Sequence, residues 1–230
     1  MVRLAMNETT TFRWSLDKDI EEFSKAGFHG IGVWRQKLTD FGEEEGIRLL
    51  ADSKLNVSSL FWAGGFTGRE GIKFEDVLDD AMLAMRLACC MDADCLIVYP
   101  GPPGGHIEKH AWRLGKNALT ELAAAAEALQ VTLAIEPMNA RCASSWTFLT
   151  DLEDALRLID EVGSENIKLA YDVYHFGNVD LDFLNGITDR ISVVHLGDAK
   201  REPTNEDNRC LLGDGQIPVH EIVCALTDGG

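Results

Sequence analysis

The amino-acid sequence predicts an α/β fold in which parallel strands alternate with helices and curl into a (β/α) barrel. Three observations carry this. Short apolar or β-branched runs alternate with amphipathic stretches along all 230 residues. Strand starts fall about 25 to 40 residues apart, the length of a strand plus a crossover helix. Neither of the glycine-rich phosphate turns that an open doubly wound sheet carries after an early strand occurs.

The elements follow in order. Strands are expected at residues 2–6, 29–34, 56–62, 95–99, 131–135, 167–170 and 191–194. Between them apolar residues recur at helical spacing, as in Leu16, Ile20 and Phe23, then Phe74, Val77, Leu78, Ala81, Met85 and Ala88. An alanine-rich helix is expected over 111–130, and another with Leu152, Ala155, Leu156 and Ile159 on one face. A shorter, weaker helix follows at 181–187, and Val219, Ile222, Val223 and Leu226 open the last. Gly101 to Gly105 follow the fourth strand, but Pro102 and Pro103 remove N–H donors that a phosphate cradle needs, so a rigid βα loop is expected.

With 46% apolar residues and no low-complexity linker, 1–230 reads as one domain. A net charge of −17 and a pI near 4.6 oppose a phosphate backbone, which argues against a nucleic-acid partner. No run reaches the roughly 18 apolar residues of a membrane helix, and the N-terminus lacks a signal-peptide core, so a soluble cytoplasmic protein with no membrane partner is expected. Cys89, Cys90, Cys95, Cys142, Cys210 and Cys224 lack paired C-x-x-C spacing and read as reduced core residues. His106 and His110 read as surface or rim residues, because the intervening sequence differs from a zincin helix.

Strand ends converge on one face of such a barrel. The fifth strand runs into Glu136, the sixth into Asp172 and the seventh into His195. Two carboxylates and an imidazole facing one cavity suit one divalent ion, Mn²⁺, Mg²⁺, Co²⁺ or Zn²⁺. The competing reading makes the acids strand ends that cap following helices and His195 a satisfied core histidine. Three consecutive strands ending in ligand types favour the metal site.

Ile135-Glu136-Pro137-Met138-Asn139, Tyr171-Asp172-Val173-Tyr174-His175, Val194-His195-Leu196-Gly197-Asp198 followed by Arg201, and Gly213-Asp214-Gly215 with Ile217 carry a resemblance. In this order the chain resembles, over essentially its whole length, the xylose isomerase-like TIM barrels, the sugar phosphate isomerases/epimerases that include ketose 3-epimerases and hydroxypyruvate isomerases. The resemblance implies metal ligation by Glu136, Asp172 and His195, substrate contact by His175, a substrate hydroxyl or anionic group at Arg201, and a lesser role for Asp198. Trp62 is expected to wall the pocket.

Two departures stand out. Gly30-Ile31-Gly32-Val33-Trp34 lacks the acidic residue such barrels frequently place after strand two. The chain reaches Gly230 without an eighth strand and its metal-binding glutamate. The expectation is a (β/α)8 TIM barrel lacking its last β/α unit, which about 30 residues would supply.

The chemistry implied is metal-dependent isomerisation or epimerisation of a sugar or related polyol ketone, through proton abstraction and an enediolate, with Glu136 and His175 as catalytic residues. A metal-dependent dehydratase of an inosose-like or dehydroshikimate-like ketone uses the same ligands and stays open, as does a non-catalytic binding or incomplete fragment. An abasic-site endonuclease is disfavoured by six histidines and the acidic charge. The partner expected is a small-molecule sugar or ketose, and a homo-oligomer is left open.

Overall fold

A computed structural model describes residues 2–68, 72–204 and 208–228. Strand β1 (Ala5–Asn7) leads through a 3-10 turn to helix α1 (Leu16–Lys25), and β2 (Gly30–Trp34) to the helix pair α2 (Arg35–Phe41) and α3 (Glu43–Asp52). Next come β3 (Asn56–Gly64), α4 (Phe74–Cys90), β4 (Leu96–Tyr99), α5 (Glu108–Leu129), β5 (Leu133–Ile135) and α6 (Leu152–Val162). Then follow β6 (Ile167–Asp172), the short helices α7 (Val173–Phe176) and α8 (Leu181–Asn185), β7 (Ile191–His195), the two-residue strands β8 (Asp198–Ala199) and β9 (Arg209–Cys210), and α9 (Val219–Asp228).

The seven strands β1 to β7 are parallel, and each pairs with its successor in sequence. This is the order of a (β/α)8 barrel less one unit. Strands β8 and β9 form a separate antiparallel hairpin. No helix among the described residues is long and apolar enough to cross a membrane.

Two apolar layers follow from the alternation of side chains along each strand. Outward residues such as Leu96, Val98, Leu133, Ile135, Leu169 and Tyr171 pack with buried helix residues, among them Leu78, Met85, Leu119, Leu122, Leu158 and Ile159. Inward residues Cys95, Ile97, Tyr99, Ala134 and Ala170 form a second cluster in the barrel lumen, with Phe61, Trp62, Trp146 and Val193 against it.

Several boundaries move for local reasons. Residues 2–4 are exposed, and β1 begins at Ala5, which pairs with Gly30. Val131 donates its N–H to the Ala126 carbonyl and so ends α5 instead of starting β5. In α6, Asp151 caps the start by accepting from Glu153 and Asp154, Gly163 ends the helix at φ +70°, and Leu158 rather than Leu156 is fully buried. The cysteine expectation needs correction: all six are free, but Cys89, Cys90 and Cys224 are exposed and only Cys95 and Cys142 are buried.

Candidate metal centre and active site

The lumen alternation places the chemistry. Ala134 and Ala170 point inward, so Glu136 and Asp172, two residues further on, do as well. A register irregularity in β7 turns Val193 and then His195 inward, and His195 lies in register with Asp172. Asp172 also caps α7, its Oδ1 accepting from Tyr174 N–H at 2.7 Å, and that turn brings His175 back over the carboxylates.

Glu136, Asp172 and His175 are buried, and one potential ligand atom from each lies within 4.8 Å of the others. His195 Nδ1 is 3.3 Å from Glu136 Oε2, and His175 Nε2 is 3.8 Å from Asp172 Oδ2. Glu136 Oε2 and His195 Nε2 are buried with no hydrogen-bond partner among the described residues. Buried polar atoms are ordinarily satisfied. Two carboxylates with two imidazoles, at this spacing and with unsatisfied atoms, fit a borderline divalent ion.

Burial works against charge on Asp172, yet the Arg209 guanidinium, His175 and His195 outweigh it and hold the carboxyl below its ordinary range. Burial likewise opposes charge on His195, but the Glu136 carboxylate beside it and then Asp172 raise it to about 8. Asp172 with Arg209 and Glu136 with His195 thus form two opposed charge pairs, and a divalent ion held by His195 takes the place of its proton.

Arg209 escaped the sequence reading. Its Nη2 donates to Asp172 Oδ2 at 3.0 Å, and its guanidinium lies 3.8 Å from the centre of the Tyr174 ring. Gly197 makes room, since a Cβ there would meet Arg209 Nη1 at 2.6 Å. The only advance signal was the neighbouring Gly213-Asp214-Gly215 turn. Arg201 is exposed in the preceding bend, where its carbonyl accepts from Asn208 Nδ2 at 2.9 Å.

Asp198 organises the loop around it. Its carboxylate accepts from the N–H groups of Ala199, Gly213, Gly215 and Ile217 at 2.8 to 3.2 Å, and these donors outweigh burial and hold its pKa low. Trp62 packs against the lumen cluster, with its ring 5.8 Å from Tyr99 and 5.4 Å from Trp146. His106 Nε2 lies 2.9 Å from the Thr67 carbonyl, in the loops above the strands.

The sequence pattern of the xylose isomerase-like TIM barrel family matches residues 20–230. The chain belongs to that family. It is 29% identical to hydroxypyruvate isomerase of Escherichia coli (strain K12) over 215 residues, covering 86% of this chain and 80% of the relative. It is 32% identical to D-psicose 3-epimerase of Enterocloster bolteae over 113 residues, 48% of this chain and only 34% of that enzyme. Among solved structures, protein SMc04130 of Sinorhizobium meliloti 1021 is similar at a TM-score of 0.89 and 25% identity, covering 99% of this chain and 85% of that one. The zinc-containing structure of IOLI protein is similar in fold at a TM-score of 0.86 and 20% identity, covering 100% and 86%.

Proposed function

We propose that this family member is a cytoplasmic, metal-dependent isomerase or epimerase of a sugar or related polyol ketone, working as a single domain. The observation that carries the reading is the buried grouping of Glu136, Asp172 and His175 within 4.8 Å, with His195 against Glu136. The names of the relatives, hydroxypyruvate isomerase and psicose epimerase, support the reaction class. The zinc atom of the IOLI protein structure supports a divalent ion, and six free cysteines support a reducing compartment.

Glu136, Asp172 and His195 are the ligands assigned, with His175 as a further imidazole at the same centre. A divalent ion bound there supplies Lewis-acid stabilisation of negative charge on a substrate oxygen. The Glu136 carboxylate, with His195 beside its Oε2, takes the proton from the carbon beside the carbonyl. His195, next to it, holds the carboxylate in place. His175 orients the substrate oxygen, and Arg209, already at Asp172, takes the hydroxyl contact expected of Arg201. Delivery of that proton by Glu136 to the neighbouring carbon is isomerisation, whereas epimerisation takes a new proton from a donor on the opposite face, a second acid or solvent.

Elemental analysis of the purified chain, together with solvent-deuterium incorporation into fructose, tests this. Near one divalent ion per chain is expected, with loss of the ion in His195→Ala and at least about a hundredfold slower exchange in Glu136→Gln. A folded wild-type chain that binds none of Mn²⁺, Mg²⁺, Co²⁺ or Zn²⁺ overturns the reading.

A further inference from the structure

We infer that a second ligand subsite lies beside the candidate metal centre and takes a neutral, hydroxylated ring, so that the substrate is a ketose carrying a second sugar or polyol unit rather than a phosphate. This rests on the sugar isomerase or epimerase reading. A cavity of about 200 Å³ is lined by Trp62 and Gly64 of β3, by Asp76, Val77 and Asp80 of α4, and by Trp146. It is smaller than the roughly 300 to 1,000 Å³ of drug-sized sites, which suits one ring.

Its position follows from strand order. Glu136 follows β5 and Trp62 lies in β3, two strands away, which is about 10 Å at the usual strand spacing. Tyr99 of the intervening strand stands between them, 5.8 Å from Trp62 and 5.3 Å from Trp146. A substrate with its carbonyl at Glu136 and a second ring in the cavity has to span this distance past Tyr99.

The lining selects the ligand. Indole faces and Val77 suit the apolar C–H face of a sugar ring, while the Ser145 hydroxyl and the carboxylates of Asp76 and Asp80 suit its hydroxyls. An anion is opposed. The charged lining residues are the two aspartates, and Arg35, which is bonded to both Asp80 oxygens at 2.8 Å, is not part of the lining. The start of α4 offers no relief, because Glu75 and Asp76 already occupy its first turn.

The test uses ligands with one ketose head and different far ends: fructose, fructose 6-phosphate, and the glucosylfructoses turanose, maltulose, leucrose and isomaltulose. Affinities for the full chain are read by tryptophan fluorescence and calorimetry. At least one glucosylfructose is expected to bind about tenfold tighter than fructose, and fructose 6-phosphate no tighter than fructose. Ser145→Phe, which fills the cavity from an exposed position, and Val77→Phe should each erase that advantage while leaving fructose within about twofold. Equal or weaker binding of all four glucosylfructoses, preference for the phosphate, or an advantage that survives both filling variants overturns the subsite. Deuterium exchange separates this from the reaction itself. Exchange into fructose without any glucosylfructose preference removes the subsite alone, whereas a preference in binding with no exchange into any sugar removes the reaction and leaves the subsite.

Discussion

Glu8 is a carboxylic acid with no exposed surface, directly after β1. Its Oε2 accepts from Trp34 N–H at 2.7 Å, and its Oε1 has no hydrogen-bond partner among the described residues. Lys37 Nζ lies 3.8 Å away but is engaged by Asp19 and by the Thr11 carbonyl, while Thr11 Oγ1 donates to Asp19. Two buried carboxyls share one ammonium, so one proton is retained. Burial first, and then the neighbouring Asp19 carboxyl, push Glu8 from 4.5 up to about 8, against the Trp34 N–H and Lys37. A carboxyl whose pKa is raised on folding contributes stability that is fully present below its unfolded pKa and is lost as pH rises through the folded one. Chemical denaturation across pH 4.5 to 8.5 should show a loss on the order of a few kcal/mol that Glu8→Gln, which cannot titrate, does not share. Equal pH dependence in the two proteins would mean that Glu8 is ionised throughout. At this scale the sequence was legible where strand alternation fixes direction. Glu136, Asp172 and His195 could be read as inward-facing because each ends an apolar strand. Arg209 could not, because it reaches Asp172 from a loop 37 residues away, and no local period encodes that approach.

The hairpin of β8 and β9 is the element that delivers Arg209, and Asp198 ties it to the following turn through the backbone N–H groups of Gly213, Gly215 and Ile217. Gly215 is required there, since a Cβ would fall 1.9 Å from Asp198 Oδ1. Asp198→Ala leaves these donors without their acceptor and should cost about 1 to 3 kcal/mol. Hydrogen exchange should speed up at Gly213, Gly215 and Ile217, with the amides of β4 and β5 unchanged. Unchanged protection across 213–217 would show that the turn holds without this carboxylate. Helices α1, α2 and α3 meet around a second close approach. A Cβ at Gly46 would lie 2.5 Å from Leu38 Cδ1 and 2.9 Å from Leu16 Cδ2, so Gly46→Ala should destabilise by about 1 to 3 kcal/mol despite the better helix propensity of alanine. A rise in thermal midpoint would show that Leu38 and Leu16 repack freely. Long periodic helices such as α4 and α5 were plain in the sequence. This pair was not, because two short helices broken at Gly42 never complete a clear apolar stripe.

The alternation of strand and helix made the whole architecture readable, since each unit repeats the same demand for a doubly covered parallel strand. That repetition does not make the sheet uniformly stable. Strands β2 to β6 are paired on both sides, but among the described residues β1 pairs only with β2 and β7 only with β6. All five residues of β7 are half-buried, whereas every residue of β4 is buried. Edge amides that face the seam lack a ladder partner, and local opening is easiest where such groups and sparse burial coincide. For the 230-residue chain, amide exchange should therefore be slowest in β3 to β5 and fastest in β1 and β7, measured at low protein concentration. Repeating the experiment at rising concentration alongside sedimentation decides what the seam does. If mass increases and β7 becomes protected in step, the unpaired edge recruits another strand. If β7 stays labile in a monomer at every concentration, the net charge of −17 is enough to keep like chains apart. Uniform protection across all seven strands in the dilute monomer would contradict the edge assignment itself.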